Sequence, residues 1–302
     1  VFWLLLFAGA PVAFSQKPLD TSKRYLIVHS DDTGMSHSVN RATIAAMETD
    51  LVTSCSIMTA CPWFPEFADW ARRHPEPDFW IHRTLNSASE KYRWGPVAGH
   101  DRVSSLVDDD GWLHRRNEDV QRLTRPAEVV LELRAQIDRA LRAGIRLSHL
   151  DTHMETVVST GEIPEIYVRP RLEYRLPVMI MENIGPELLP GYPDLARKKL
   201  LYIEALRAEG LPAIDWLYQF YEGSDHTVRK KRYLDTFRGL RPGVWQMINY
   251  CGTDDSELQA IAASHFLRGD DMRIFSDPAV NTEIEGSGID LLSWTQLRAR
   301  EG

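Results

Sequence analysis

Tyr25-Leu26-Ile27-Val28 runs straight into His29-Ser30-Asp31-Asp32-Thr33-Gly34-Met35-Ser36. An apolar run this short, ended by acids and a glycine, reads as a buried strand that delivers carboxylates to its C-terminal tip. Neighbouring residues of a strand point to opposite faces, but where the backbone turns at the strand's end both Asp31 and Asp32 can reach one pocket. Two like charges side by side are costly unless a positive charge sits between them, and a divalent ion is the usual solution. Taken alone, the same residues favour a turn whose Asp caps the next helix, and it is the strand ends downstream that reverse this.

The chain beyond this strand alternates. Ser36 to Asp50 reads as a helix capped by Ser36 or Ser38, Leu51 to Met58 as a strand, Pro62 to Arg73 as a helix, and Phe79-Trp80-Ile81-His82 as a third strand. This βαβαβ order predicts an α/β fold with a mainly parallel sheet wrapped by helices. Residues 86–125 break the rhythm with Trp94-Gly95-Pro96 and Asp108-Asp109-Asp110-Gly111-Trp112, a long insertion after a strand of the kind that carries substrate loops. Within it Tyr92, Trp94 and Trp112 are candidates to stack on sugar faces or, equally, to anchor the loop. Helical spacing returns from Pro126 and ends at Gly144, and Ile145 to Leu150 is the strand that delivers Asp151-Thr152-His153. Further helices are expected over 163–173, 193–209, 226–240 and 255–268, and strands over 176–181, 213–217 and 244–250, with a tail through Trp294.

Composition bounds the function. The net charge of −8 argues against non-specific nucleic-acid binding and suits a small neutral or cationic substrate. The first fifteen residues are apolar and uncharged, too short to span a membrane, and end with Ala13 and Ser15 where a signal peptidase wants small side chains. They are expected to be a cleaved secretory segment. No Met or basic stretch precedes them, so the start is expected at an alternative codon or upstream, and the mature protein in the periplasm or outside. Residues 16–302 read as one domain without a membrane span, and the sequence gives no signal for an oligomeric state. Cys55, Cys61 and Cys251 exclude a disulfide-rich fold and leave room for one bridge, Cys55 with Cys61 if a turn brings them close.

Three strands end in potential ligands: Asp31 and Asp32, then His82, then Asp151 with His153. In a barrel or twisted parallel sheet the strand C-termini converge on one rim, so these side chains can meet. Two imidazoles and a carboxylate form a common set for a catalytic divalent ion that keeps positions open for water and substrate, and Mg and Zn are not distinguished by it. With Asp32 on the ion, Asp31 is placed to take a proton from the attacking water. That is a kit for hydrolysing an amide or ester. Arg175 is a candidate to orient Asp31 and hold it ionised, or else a surface ion-pair partner.

The segments His29-Ser30-Asp31-Asp32-x-Gly34-Met35-Ser36, Ile81-His82-x-Thr84-Leu85-x-Ser87, Tyr92-Arg93-Trp94-Gly95-Pro96 and His149-Leu150-Asp151-Thr152-His153-Met154, in this order, resemble the YdjC-like carbohydrate deacetylase family. The resemblance runs from about Arg24 to Arg298 and implies a distorted (β/α) barrel, a divalent metal and removal of N-acetyl groups from amino-sugar oligosaccharides. By position it implies Asp31 as the catalytic acid/base, Asp32, His82 and His153 as metal ligands and Asp151 behind a ligand. The chain departs from the pattern at Trp80, where a Gly is expected, at Arg83, where an aliphatic residue is expected, and at Glu155, where a Gly is common. Arg83 is expected to pair with Glu155 or to bind an anionic sugar group. Tyr250 stands in the region where a His is common, so it would have to protonate the leaving amine, with His226 and His265 as weaker substitutes. Two other readings use the same residues: an esterase or amidase on another substrate, and a carbohydrate-binding homologue with impaired catalysis.

Overall fold

The computed structural model describes residues 18–155, 166, 173–183, 193–221 and 225–301. The leader read at 1–15 and most of the helix expected over 163–173 lie outside these residues. In chain order the elements are β1 (Arg24–Thr33), α1 (His37–Met47), β2 (Ser54–Ile57), α2 (Phe64–Arg73), β3 (Asp78–Arg83), α3 (Asn117–Leu123), α4 (Pro126–Arg142) and β4 (Leu147–Thr152). There follow α5 (Pro193–Ala208), β5 (Trp216–Tyr218), α6 (His226–Arg238), β6 (Gly243–Asn249), α7 (Ser256–Ile261), α8 (His265–Phe275), α9 (Pro278–Gly286), β7 (Ile289–Leu291) and α10 (Trp294–Glu301).

All strand pairs are parallel, in the order β4-β3-β2-β1-β6-β5. β1 is central because its two halves have different partners: β7 pairs with Arg24–Leu26, and β2 with the end from His29 to Thr33. Single parallel bridges, Leu150 with Val178 and Met181 with Ile214, carry the β4 edge round toward β5 and curl the sheet into a distorted barrel. The strand expected over 176–181 is reduced to these bridges.

The period of two in the strands separates two apolar layers. Leu26, Val28, Phe79, Ile81, Leu150 and Met247 point outward against the helices. Tyr25, Ile27, Trp80, Val244 and Trp294 fill the inner face. Trp80 is therefore a lumen residue, packed on His29, His149 and Trp294. Its volume fills space that a Gly would leave open, and truncating a buried aromatic of this kind costs about 3–5 kcal/mol.

The turn after β1 has the capping expected of it. Ser36 Oγ accepts from the Val39 amide and caps α1, while Ser38 bonds to Asp255 and Glu257. Gly34 sits at φ 86, donates to Asn40 Oδ1 and lies so close to Met58 O that a Cβ would come within 3.1 Å. Only glycine takes both that dihedral and that approach cheaply.

One expectation is corrected and one open point is decided. The helix read over 255–268 is two helices, because Ala262 is extended at φ −131, ψ 125. All three cysteines are buried free thiols, so Cys55 and Cys61 are not bridged.

Candidate metal centre

The site rests on a layered floor. On the inner face His29 precedes Asp31, Trp80 precedes His82 and His149 precedes Asp151, each by two residues. The three floor rings are in contact, His29 on Trp80 at 3.6 Å and Trp80 on His149 at 3.7 Å between centroids. One strand period above them, the polar side chains form the next layer.

Asp32 joins that layer by breaking the strand. It adopts φ 74, and the β1–β2 register shifts between Ser30 and Thr33. A left-handed residue is costly for anything but glycine, so this bulge is a structural commitment that turns both acids toward one pocket. Ser56 holds the pair: its hydroxyl accepts from the Asp32 amide at 3.1 Å and donates to Asp31 Oδ1 at 2.7 Å. His29 Nε2 lies 2.9 Å from the same Oδ1, and His29 Nδ1 lies 2.8 Å from Ser54 Oγ. With Asp31 ionised, this fixes His29 as the tautomer that donates from Nε2 and accepts from Ser54.

Asp32 Oδ1 is the focus. His82 Nε2 and His153 Nδ1 each lie 3.4 Å from it, and the oxygen accepts no hydrogen bond among the described residues although it is buried. One ligand atom from each of Asp32, His82 and His153 lies within 4.8 Å of the others. Ligand bonds of about 2.0–2.1 Å meeting at a tetrahedral angle place neighbouring ligand atoms about 3.4 Å apart. An orphan acceptor and two imidazole nitrogens at that spacing fit a divalent ion. Asp31, His82 and Asp151 form a second such group, but it shares His82. A neutral imidazole that gives Nε2 to an ion keeps its proton on Nδ1, and here Nδ1 faces Asp151 Oδ2 at 3.2 Å. Asp151 is thus placed as the carboxylate that would orient His82 if Nε2 held an ion.

His153 is positioned by a short 3-10 turn, His153–Glu155, in which Met154 is left-handed at φ 49. Asn117 Nδ2 donates to the Met154 carbonyl at 2.9 Å, so α3 of the long insertion holds this turn.

Electrostatics follow from burial and charge. Burial pushes the Asp32 carboxyl up, but the Arg268 guanidinium and the facing imidazoles of His153 and His82 outweigh it and hold it well below the usual range. Asp31 is likewise lowered against its burial by His82 and His29. Burial lowers His82, but Asp31, Asp151 and Asp32 together carry it well above an ordinary histidine.

Arg268 was not among the residues read from the sequence. Its Nη2 donates to Asp32 Oδ2 at 2.5 Å from the first turn of α8, which starts afresh after the break at Ala262. No local motif marks it. His29 could have been found by its spacing, since it stands two residues before Asp31 as His149 stands two before Asp151.

Other expected site residues are placed differently. Arg175 is exposed, and the hydrogen bonds on Asp31 come instead from His29 and Ser56. Arg83 is fully buried and donates from Nε to the Asp151 carbonyl at 2.8 Å, which makes it a brace for the β3–β4 ends and not a substrate contact; the side chain of Glu155 lies outside the described residues. Trp94 is 5% exposed and belongs to the core, and the Tyr92 hydroxyl donates to Met35 O at 2.5 Å, so both anchor the insertion. Trp112 is 41% exposed and alone of the three presents a free ring. Tyr250 follows β6, with its hydroxyl 2.6 Å from that of Tyr221 and its ring facing Arg268. His226 and His265 pair with Asp270 and Asp254.

Fold and site together define a distorted parallel α/β barrel with a carboxylate–imidazole cluster at the C-terminal ends of its strands. The pattern of the family described as YdjC-like protein matches residues 25–285, and the chain belongs to that family. A carbohydrate deacetylase of Thermoanaerobacter pseudethanolicus is 25% identical over 276 residues, covering 91% of this chain and 100% of that protein. A carbohydrate deacetylase of Brevibacillus brevis is 35% identical over 153 residues, 51% of this chain and 58% of that protein. A crystal structure from Enterococcus faecalis V583, of a protein provisionally named for cellobiose-phosphate cleavage, superposes with a TM-score of 0.75 at 24% identity, over 91% of this chain and 99% of that one. At that identity the likeness concerns the fold.

Proposed function

We propose that this protein is a divalent-metal-dependent deacetylase of small carbohydrates, which hydrolyses the N-acetyl group of amino-sugar oligosaccharides. The observation that carries the reading is the orphan Asp32 Oδ1 facing His82 and His153, with Asp31 next to it and separately held. An ion bound by Asp32, His82 and His153 would supply a Lewis acid for the acyl oxygen and lower the pKa of an attacking water. The chain's own residues do the rest.

Both hydrogen bonds on Asp31, from His29 and Ser56, fall on Oδ1, which leaves Oδ2 to take the water proton as the new C–O bond forms. As the C–N bond breaks, the leaving nitrogen needs a proton. We assign that step to the Tyr250 hydroxyl, which lies past the end of β6 beside Arg268 and the Tyr221 hydroxyl; burial and the charge of Asp31 raise its phenol well above the ordinary value, so it is a weak acid that gives up its proton only as the C–N bond breaks. Trp112 is the side chain available to stack on a sugar ring at the insertion. Among the described residues no helix is long and apolar enough to cross a membrane, and export to the periplasm or beyond remains part of the reading through the segment 1–15.

The test is acetate release from N-acetylated chito-oligosaccharides by purified protein, before and after chelation and after metal is returned. Release that stops on chelation and returns with one divalent ion supports the proposal. Release of acetate from O-acetyl esters alone would move it to the esterase reading.

A further inference from the structure

Arg268 is seated with unusual care for a residue outside the ligand set. Its Nη2 donates to Asp32 Oδ2 at 2.5 Å, its Nε donates to Ser264 Oγ at 3.3 Å, and its guanidinium carbon lies 5.3 Å from the centre of the Tyr250 ring. The side chain is only 10% exposed, and Nη1 is buried with no hydrogen-bond partner among the described residues. The backbone makes room for it. The Gly252 amide donates to the Arg268 carbonyl at 3.1 Å, and a Cβ on Gly252 would meet Leu258 Cδ2 at 2.6 Å and Arg268 Cβ at 2.9 Å. Gly252 and the helix break at Ala262 thus let α8 press its first turn against the end of β1.

The consequence concerns the two oxygens of Asp32. Oδ2 is committed to Arg268, and Oδ1 alone faces His82 and His153. A carboxylate can bind a cation through one oxygen or both: zinc sites with few ligands are satisfied by one, whereas larger oxygen-seeking ions gain from a second. We propose that Arg268 restricts Asp32 to a single-oxygen ligand and thereby makes the centre discriminate in favour of Zn²⁺ over Mn²⁺. The inference rests on the metal reading of the site, and Arg268 acts through Asp32 as a positioning residue.

The experiment compares Zn²⁺ and Mn²⁺ dissociation constants, by competition with a chelating dye, for the wild-type protein and for Arg268→Met, Arg268→Lys and Arg268→Gln. Circular dichroism checks that each variant is folded, and the visible absorption of the Co²⁺-loaded proteins reports coordination number. Losing a residue that orients a ligand changes metal affinity by about 10–100-fold. Arg268→Met is expected to lower the preference for Zn²⁺ over Mn²⁺ by about tenfold or more and to weaken the Co²⁺ bands, as an added ligand atom does. Lys and Gln, which can each still donate to Oδ2, are expected to keep the wild-type preference. An unchanged preference in a folded Met variant overturns the inference alone, and so does a Gln variant that behaves like Met, because charge and not the blocked oxygen would then be responsible. If Met does not fold, a folded Gln variant that loses the preference also overturns it, and one that keeps it supports it. Failure of the wild-type protein to bind either ion overturns the metal reading and this inference together.

Discussion

The two sides of the site are built differently. On the side of β1, β3 and β4, Asp31, His82 and Asp151 stand at strand ends above floor residues two positions earlier, while Asp32 comes from the bulge of β1 and His153 from the turn just after β4. On the side of β6 and α8, Tyr250 lies past the strand end and Arg268 comes from a helix whose start depends on a break and a glycine. The strand side supplies the converging carboxylate and imidazole atoms, and the helix side supplies a donor, a charge and a constraint. The strand side should therefore fail completely when altered, and the helix side by degrees.

The largest effect is expected from His82→Ala and His153→Ala. Each removes one of the three atoms that face one another among the described residues, so bound metal should be lost and kcat/KM should fall by about 10³-fold or more, several kcal/mol of transition-state stabilisation. Metal analysis with acetate release checks both. If either variant keeps metal and most activity, the strand side does not hold the ion.

Asp31→Asn is expected to keep the metal and lose about 10²–10⁴ in kcat, the range for a positioned base. Tyr250→Phe should also keep the metal but lower kcat less than Asp31→Asn, because Tyr221 remains beside the vacated position as a second hydroxyl. Equal metal content with the opposite ranking of kcat would exchange the roles of the two sides.

Acid stability of the metal-free protein gives a smaller test. In the folded state Asp32 is held below the usual carboxylate range, whereas in the unfolded chain it protonates near about 3.9. Protons thus bind the unfolded state first, and Asp32 contributes stability that is present above about pH 4 and is lost as pH falls through its folded value. Arg268→Met removes the largest opposing charge and should move this acid limb to higher pH, as followed by thermal melts across pH. An acid limb that does not move would mean that the helix side does not hold Asp32 ionised.

The smallest effect is expected at the insertion. Trp112→Ala should leave the melting temperature nearly unchanged, as exposed substitutions usually stay within about 0.5 kcal/mol, and should raise KM without changing kcat. Trp94→Ala, which empties a core position, should cost about 3–5 kcal/mol. Equal stability losses would put Trp112 in the core as well.

The same contrast explains what could be read from the chain. Strand-end acids and histidines follow apolar runs of period two, so Asp31, Asp32, His82, Asp151 and His153 were legible from local pattern, as was the parallel α/β fold. The packing around those strand ends was not. Trp80 in place of a Gly becomes intelligible only when the sheet curls and leaves a lumen to fill, and Arg83 in place of an aliphatic residue only when β3 and β4 pair and set the Asp151 carbonyl before its Nε. Arg268 was hidden for a stronger reason. Its partner lies 236 residues away and is reached only because Ala262 interrupts what reads as one helix. Arg175, by contrast, looked suitable by type and chain position, and its exposed turn leaves Asp31 to His29 and Ser56.

The most direct test of the account is metal content and acetate release measured on one preparation, with wild-type protein and His153→Ala side by side. The expected result is about one divalent ion per wild-type chain, acetate release that chelation abolishes and the same ion restores, and neither metal nor release in the variant. Acetate release by wild-type protein that persists after the metal has been stripped would contradict the central claim.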